Sequence, residues 1–353
     1  MDKTCILLTG AGAPGMPGIL KCLKKAEKAI RLVGCDADAN APSRNEFDAF
    51  YKIPFANSNK FTSTLLDICI KEKVDIVIPV VTRELETLSQ NKERFDEIGV
   101  ILAVMPYEKL QITNNKGLLL DFMRDNGLPT AEYYIANNVE ELENAFEKIG
   151  YRDHGAVVKP VIGNGSRGVR IIDVNKSAFE SFFNEKPNGL FSTKNEIINA
   201  LQGHSFPCSI MIMQFLPGAE YSVDIVADEG RILAAVCRVG LEVASSNQTR
   251  SMVIDRPDVI NQCAEVVKKL ELSGNIGFDL KEDISGNVFI LEINPRLTGG
   301  IVTCLAAGAN MPWLGIESWL KEEVKQPDLQ YGVVMQRYWN ERFYDSKGQE
   351  IIL

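Results

Sequence analysis

Histidine is nearly missing from this chain: 353 residues contain only His154 and His204. Both lie beside loop signals, Asp153-His154-Gly155 and Gly203-His204-Ser205, and read as surface residues, so chemistry built on imidazole has little material. Cys5, Cys22, Cys35, Cys69, Cys208, Cys237, Cys263 and Cys304 form no CxxC pair. Most sit in apolar runs, which excludes a structural zinc set of the usual spacing and fits core thiols in a reducing cytoplasm. No apolar run reaches the length that spans a bilayer, and a strand begins at Thr4 without a positive leader and cleavage site; membrane insertion and secretion are not expected. Positive charge is in deficit, 38 Lys and Arg against 47 Asp and Glu, which excludes a general nucleic-acid binder but leaves room for a local basic cleft. Repeats, low-complexity tracts and disordered linkers are absent too. The length predicts two or three structural units with real cores.

What the chain does have is concentrated at Leu291-Glu292-Ile293-Asn294-Pro295-Arg296-Leu297-Thr298-Gly299-Gly300. Val288 to Ile293 is apolar and β-branched, a buried strand on which Glu292 and Asn294 share one face. Ile276 to Leu280 is a second such run carrying Asp279, and Asp283 to Asn287 supplies the turn of a hairpin. Antiparallel pairing across that turn brings Asp279 toward Glu292 and Asn294. Two carboxylates and an amide oxygen on an apolar face repel and lose hydration unless a cation bridges them. Oxygen-only donors suit Mg²⁺, which arrives with substrate phosphates. The plainer alternative is a solvated strand face.

The chain opens with an apolar run, Thr4 to Thr9, then Gly10-Ala11-Gly12-Ala13-Pro14-Gly15-Met16-Pro17-Gly18, then Ile19 to Ala29 with helical periodicity. Arg31 to Cys35 reads as a second strand ending at Asp36, and the amphipathic Lys60 to Lys73 precedes a third, Val74 to Val80. This alternation predicts an open parallel α/β sheet. Gly10, Gly12 and Gly15 fit the GxGxxG spacing, with Asp36 where a ribose-binding acid would stand. Pro14 and Pro17 stiffen that loop and remove amide donors, which favours a ligand-facing or packing role over a dinucleotide site. Val81-Thr82-Arg83-Glu84 follows the third strand at the carboxyl edge where open α/β sheets place ligands. Gly12, Thr82 and Glu84 are therefore candidate substrate contacts, although a helix cap explains the last two equally well.

Further on, Asn114-Asn115-Lys116 opens a helix, Gly117 to Asp125, closed by Asn126-Gly127-Leu128-Pro129. Val139 to Ile149 is another helix. Ala156 to Pro160 is a strand carrying Lys159, and Val161 to Ile172 places Gly163, Gly165, Ser166 and Gly168 in a hairpin loop able to fold its amides over phosphate oxygens. It lacks the Gly-Lys-Ser/Thr ending of a Walker loop. Ser209 to Phe215 is a strand, and Leu216-Pro217-Gly218-Ala219-Glu220-Tyr221-Ser222-Val223-Asp224 turns into the next. That order can offer backbone groups to an adenine and the carboxylate of Glu220 to ribose hydroxyls. Gly230 to Arg238 continues the β pattern; Asp258 to Leu270 and Trp313 to Val324 read as helices. Tyr331 to Leu353 reads as a terminal hairpin with Asp345-Ser346-Lys347-Gly348 at its turn.

Taken in order, Lys116, Lys159-Pro160, the Gly163 to Gly168 loop, Leu216 to Tyr221, Asp279 and Leu291 to Arg296 resemble the ATP-grasp superfamily. The chain looks most like the branch related to the large subunit of carbamoyl phosphate synthase. The resemblance implies an α/β, α+β architecture: a Rossmann-like pre-ATP-grasp domain at 1–113, then a two-lobed ATP-grasp domain at 114–353. Within the latter it implies a lid lobe at about 128–212, an ATP and metal lobe at about 213–326 and a C-terminal hairpin at 327–353. It implies ATP phosphates on Lys116 and Lys159 beneath the loop of Gly163, Gly165, Ser166 and Gly168, adenine beside Gln214 and Leu216, and ribose on Glu220. Asp279, Glu292 and Asn294 match ligands of Mg²⁺ or Mn²⁺, Arg296 the cation near the transferred phosphoryl group, and Arg238 is a further phosphate or carboxylate candidate. In one departure, many relatives carry Glu six or seven positions before the ribose acid, where this chain has Met213-Gln214.

The chemistry implied is attack of a substrate carboxylate on the γ-phosphate, giving an acylphosphate and ADP, followed by displacement of phosphate by an amine. Such chemistry needs charge neutralisation and alignment more than a side-chain nucleophile. The expected partners are small-molecule carboxylate and amine substrates, with no nucleic acid and no membrane, and a homodimer is one compatible assembly. Two other readings compete: an NAD(P)-dependent oxidoreductase using the N-terminal GxGxxG loop, and a non-catalytic ATP-binding subunit.

Overall fold

The computed structural model describes residues 3–351 except 164, 185–188, 245–246, 339 and 347–348. Strands β1 (Thr4–Leu8), β2 (Ile30–Asp36), β3 (Ala49–Lys52), β4 (Ile76–Ile78) and β5 (Ile101–Leu102) form a wholly parallel sheet in the order β3-β2-β1-β4-β5. The central strand is buried from Cys5 to Leu8, because a parallel sheet with helical crossovers is covered on both faces. The first crossover helix, Met16–Leu23, stops sooner than the periodicity to Ala29 predicts. Beyond Leu23 the like charges of Lys24 and Lys25 leave no apolar face to bury, and the chain tightens into turns, Lys25 N–H donating to Cys22 and Ala26 N–H to Leu23.

Strands β6 (Tyr133–Ala136), β7 (Ala156–Pro160), β8 (Arg170–Ile172) and β9 (Ile210–Gln214) make an antiparallel sheet in the order β6-β9-β7-β8. A six-stranded sheet has the order β14-β13-β10-β11-β12-β15, from β10 (Glu220–Asp228), β11 (Arg231–Ala244), β12 (Asn247–Ile254), β13 (Gly274–Glu282), β14 (Val288–Asn294) and β15 (Val334–Gln336). The terminal hairpin is shorter than the sequence suggests: β16 (Phe343–Tyr344) pairs with β17 (Glu350–Ile351), whereas β15 pairs with β12 through Arg250 and Gln336. Lys347 and Gly348 of the expected turn lie outside the described residues. The late helix is Met311–Trp319 rather than Trp313 to Val324, since Lys321 adopts a left-handed φ of 56° that ends it.

Packing divides the chain into two compact units, one of Met1–Leu110, Ser222–Gly277 and Asn294–Leu353, the other of Gln111–Tyr221 and Phe278–Ile293. In the first unit one apolar cluster joins Ile6, Leu8 and Leu20 of the parallel-sheet segment to Val226, Ile301 and Trp313. The second unit has its own core of Ala136, Leu142, Phe146, Val158 and Ile212. Strand alternation on β7 sends Ala156 and Val158 into that core and Lys159 to the opposite face.

Helix Lys116–Asp125 starts where it does because the Asn115 side chain accepts from Gly117 N–H at 3.0 Å and Leu118 N–H at 3.1 Å. Both are donors that a helix start leaves unpaired. Asn115→Ala should therefore lower unfolding stability by about 1 kcal/mol, whereas Asn115→Asp or Ser, which can still accept, should retain most of it. Denaturant titration checks this, and an alanine variant with the parent midpoint would contradict the cap.

Candidate active site

In the second unit a helix start is tied to the end of a strand. Asn115 and Ile162 form an antiparallel bridge, and Lys116 N–H donates to the Val161 carbonyl at 2.9 Å. Lys116 Nζ then reaches the Gly163 carbonyl at 2.8 Å and Glu292 Oε2 at 3.0 Å, with the residue only 8% exposed. A cation in the first turn opposes the helix dipole and loses hydration on burial, so the position costs stability that Glu292 partly offsets. Lys159, 5% exposed, lies in the same field. Burial pulls its ammonium down to about 8; Glu292 raises it, Lys116 lowers it and Asp279 raises it. The sequence reading set Asp279 against Glu292 as two repelling acids. The structure adds two ammonium groups to them, so the four formal charges sum to zero in the free protein.

Gly163, which accepts from Lys116 Nζ, begins the Gly-rich hairpin loop. Gly165, Ser166 and Gly168 hold left-handed φ of +60°, +53° and +80°. Glycine is required at 168, where a Cβ would come within 2.7 Å of Pro160 Cγ. Asn164 lies outside the described residues. On the next connection Gln214 N–H donates to the Glu132 carbonyl at 2.9 Å and Leu216 is buried. Gly218 N–H donates to the Glu282 carbonyl at 2.9 Å and Glu282 N–H returns to Ala219 at 3.0 Å, which fixes the start of β10 at Glu220.

The first unit holds the remaining candidates. Arg296 donates from Nε to Thr82 Oγ1 at 2.8 Å, from Nη1 to the Leu297 carbonyl at 2.9 Å and from Nη2 to Asn294 Oδ1 at 2.9 Å. Thr82 does not cap its helix; Val81 precedes Thr82–Ser89 without a side-chain bond. Glu84, 8% exposed, accepts from the Thr9 hydroxyl, and burial pushes its carboxyl up to about 7, with Thr9 lowering and Asp36 raising it. Thr9 follows β1 and Thr82 follows β4, the two strands between which the sheet order reverses, the crevice where such sheets bind ligands. Gly12 stands in the same loop region, but its N–H donates to Asp36 Oδ2 at 2.7 Å while Asp36 Oδ1 accepts from Asp38 N–H at 2.8 Å. The acid expected to hold a ribose is engaged by backbone. Close packing accounts for the glycines, since a Cβ at Gly15 would lie 2.9 Å from Gly299 Cα and one at Gly10 2.4 Å from Val81 Cγ2.

Arg238 is 2% exposed and donates to Asp224 Oδ2 from Nε at 3.0 Å and from Nη2 at 2.7 Å. Asp224 Oδ1 accepts from Thr298 Oγ1 at 2.6 Å, and Arg238 Nη1 donates to Gln248 Oε1 at 3.3 Å. Arg238 thus braces the turn after β14. Sequence reading missed Thr9, Asp224 and Gln248. Asp224 carried a usable signal, an acid inside the apolar run from Tyr221 to Ala227, which must be paired if the strand is buried.

Lys159 yields a pH-dependent prediction. A lysine whose folded pKa falls from 10.5 to about 8 makes the folded state bind fewer protons than the unfolded state between those values, so its burial cost is full below about 8 and fades as pH rises toward 10.5. Lys159→Met should raise stability at pH 7 by on the order of 1 to 3 kcal/mol, and the gap should close as pH rises through that window. Paired melting curves from pH 7 to 10 measure it; a variant melting below the parent at pH 7 would contradict the charge placement.

Comparison with known proteins adds independent findings. Residues 6–103 match the family model "PylC-like, N-terminal domain", and residues 206–340 match "ATP-grasp in the biosynthetic pathway with Ter operon". A formate-dependent phosphoribosylglycinamide formyltransferase of Bacteroides fragilis is 30% identical over 176 residues, 50% of this chain and 41% of that protein. The arginine-specific carbamoyl phosphate synthase large chain of Bacillus subtilis is 20% identical over 244 residues, 67% of this chain and 21% of that one. The chain therefore spans well under half the length of these curated relatives. Among solved structures, the ADP complex of N5-carboxyaminoimidazole synthetase from Staphylococcus aureus superposes with a TM-score of 0.69 at 15% identity, covering 93% of this chain and 81% of the other. A biotin carboxylase ATP-analogue complex from Campylobacter jejuni gives 0.69 at 15%, covering 93% and 74%. At these identities the structural likeness is one of fold. Both matched models fall on the elements described above: residues 206–340 match an ATP-grasp family, residues 6–103 a PylC-like N-terminal domain, and the chain is similar to the large chain of carbamoyl phosphate synthase.

Proposed function

We propose that the protein is an ATP-dependent ligase that joins a carboxylate to an amine through an acylphosphate, releasing ADP and phosphate. The observation that carries this reading is the set Lys116, Lys159, Asp279 and Glu292, two buried cations and two acids in one field beside a Gly-rich hairpin. In the proposed reaction a carboxylate oxygen attacks the γ-phosphorus as its bond to the β,γ-bridging oxygen breaks, and the electron pair leaves on ADP. An amine then attacks the acyl carbon; phosphate departs and the amine proton passes to water. Lys116 and Lys159 would hold phosphate oxygens, the Gly163 to Gly168 amides would cover them, and Glu220 would bind the ribose with Gln214 and Leu216 beside the adenine. Arg296, already oriented by Thr82, would face the transferred group. Mg²⁺ fits the all-oxygen donors Asp279, Glu292 and Asn294, and when bound would neutralise charge on the phosphate chain. The domain division at 113, small-molecule substrates and a cytoplasmic setting belong to the same reading.

The oxidoreductase alternative loses its main support, because Asp36 already accepts from Gly12 N–H. Mg·ATP should stabilise the protein against heat more than NAD(H) does at matched concentration, and ADP release should appear only with a productive carboxylate and amine pair. Thermal-shift measurement followed by a paired-substrate screen with mass analysis tests both. Greater stabilisation by NAD(H) would overturn the assignment.

A further inference from the structure

Helix Ala178–Asn184 of the second unit carries an apolar stripe that its own unit does not bury. Phe179, Phe182 and Phe183 stand at i, i+3 and i+4, the spacing by which a helix turns one face to a core. Here that face meets solvent: the three residues are 73%, 81% and 67% exposed. None of them joins the core formed by Leu142, Phe146 and Ile212. The rings instead hold one another, the Phe183 centroid lying 5.0 Å from that of Phe179 and 5.1 Å from that of Phe182. Such pairs gather the rings into one cluster but leave most of their surface wet.

Local bonds fix the helix start, where Ser177 Oγ accepts from Glu180 N–H at 3.2 Å and the Ser177 carbonyl from Ser181 N–H at 3.0 Å. Charge is kept off the stripe. Glu180 falls beside it around the helix, and the Lys176 ammonium stands 3.7 Å from the centroid of the Phe191 ring. Helices that lie on lipid carry Lys and Arg on their polar face, and Ala178–Asn184 has neither. Two copies of this chain, each of net charge −9, repel, and they approach at least cost where neither presents charge. In a two-fold contact a patch faces its own copy, which penalises like charge and suits rings whose edges and faces complement each other. At roughly 200 Å² for a whole phenylalanine, the exposed parts of the three amount to about 450 Å² per copy and about 900 Å² across a two-fold pair. With rim atoms added, this reaches the low end of specific interfaces, about 1,200 Å².

We propose that Phe179, Phe182 and Phe183 form a two-fold contact surface through which the second units of two copies of this chain associate weakly and reversibly. The surface stands apart from the candidate active site and does not rest on the ligase reading.

Sedimentation velocity of the full chain from about 1 to 200 µM should show monomer passing to dimer with a micromolar Kd. Raising chloride from about 50 to 500 mM should strengthen the dimer, because it screens the repulsion of the copies and leaves the apolar contact intact. Phe182→Asp sets like charges across the contact, and the double change Phe179→Ser with Phe183→Ser removes its area; each should weaken association at least about tenfold. Phe182→Leu should keep most of it. Ile284→Ser, which removes a 90% exposed side chain from the turn between β13 and β14, should associate as wild type does. Because the rings are exposed, every variant should melt within about 2 °C of wild type, which separates a lost contact from a lost fold. Four results would overturn the surface: a wild type that stays monomeric throughout, a dimer unchanged in both disruptive variants, dissociation by chloride, or monomers that pellet with neutral phosphatidylcholine vesicles only when the rings are present. The last would make lipid the occupant instead of a second copy.

Discussion

The pairing of buried Lys116 with half-buried Glu292, with Lys159 and Asp279 in its field, is the constraint on which the second unit depends. Four ionisable groups taken partly out of water are a poor way to stabilise a fold, because desolvation is only partly repaid by their attraction. The lowered ammonium of Lys159 is the direct sign that here burial outweighs the attraction of two acids. Such a set makes physical sense if the lysines and carboxylates exchange partners, the cations turning to phosphate and the acids to a metal, so that both find partners at once. The local backbone is built to keep the set in place. Asn115 caps the helix, Lys116 N–H is fixed to Val161, and Lys116 Nζ is anchored on the Gly163 carbonyl.

The first unit is organised by a second buried charge pair, Asp224 with Arg238. Asp224 takes two bonds from Arg238 and one from Thr298, and Gly300 lies against the guanidinium. The turn after β14 is therefore braced by a saturated carboxylate. Its neighbour Arg337 is oriented by neutral groups, the Gln248 and Gly299 carbonyls. A cation held by neutral oxygens keeps its charge available to a ligand; one held by a carboxylate does not.

Most strands and the motif order were legible in the sequence because apolar period and turn residues are local. Lys159 on β7 and the glycines of the following hairpin fell where the pattern put them. Element ends were less legible where they depend on backbone conformation, as at Lys321, or on the loss of an apolar face, as after Leu23. Long-range pairing was hidden. Nothing near Asp279 and Glu292 says that Lys116 and Lys159 will stand among them, so a cluster expected to repel proved balanced. Likewise the GxGxxG spacing around Gly12 is the mark of close packing against Val81, Asp36 and Gly299, contacts between segments far apart in the chain.

The central proposal is that Lys159, only about half protonated at pH 8 in the free protein, becomes fully charged when it holds a phosphate. Calorimetric titration of Mg·ATP at pH 8, repeated in buffers of different ionisation enthalpy, measures the protons taken up on binding. With the Lys159 pKa at about 8 in the free protein and raised by bound phosphate, binding should take up roughly half a proton, and Lys159→Met should abolish that uptake. Binding with no proton uptake, or with an uptake that survives Lys159→Met, would contradict the account.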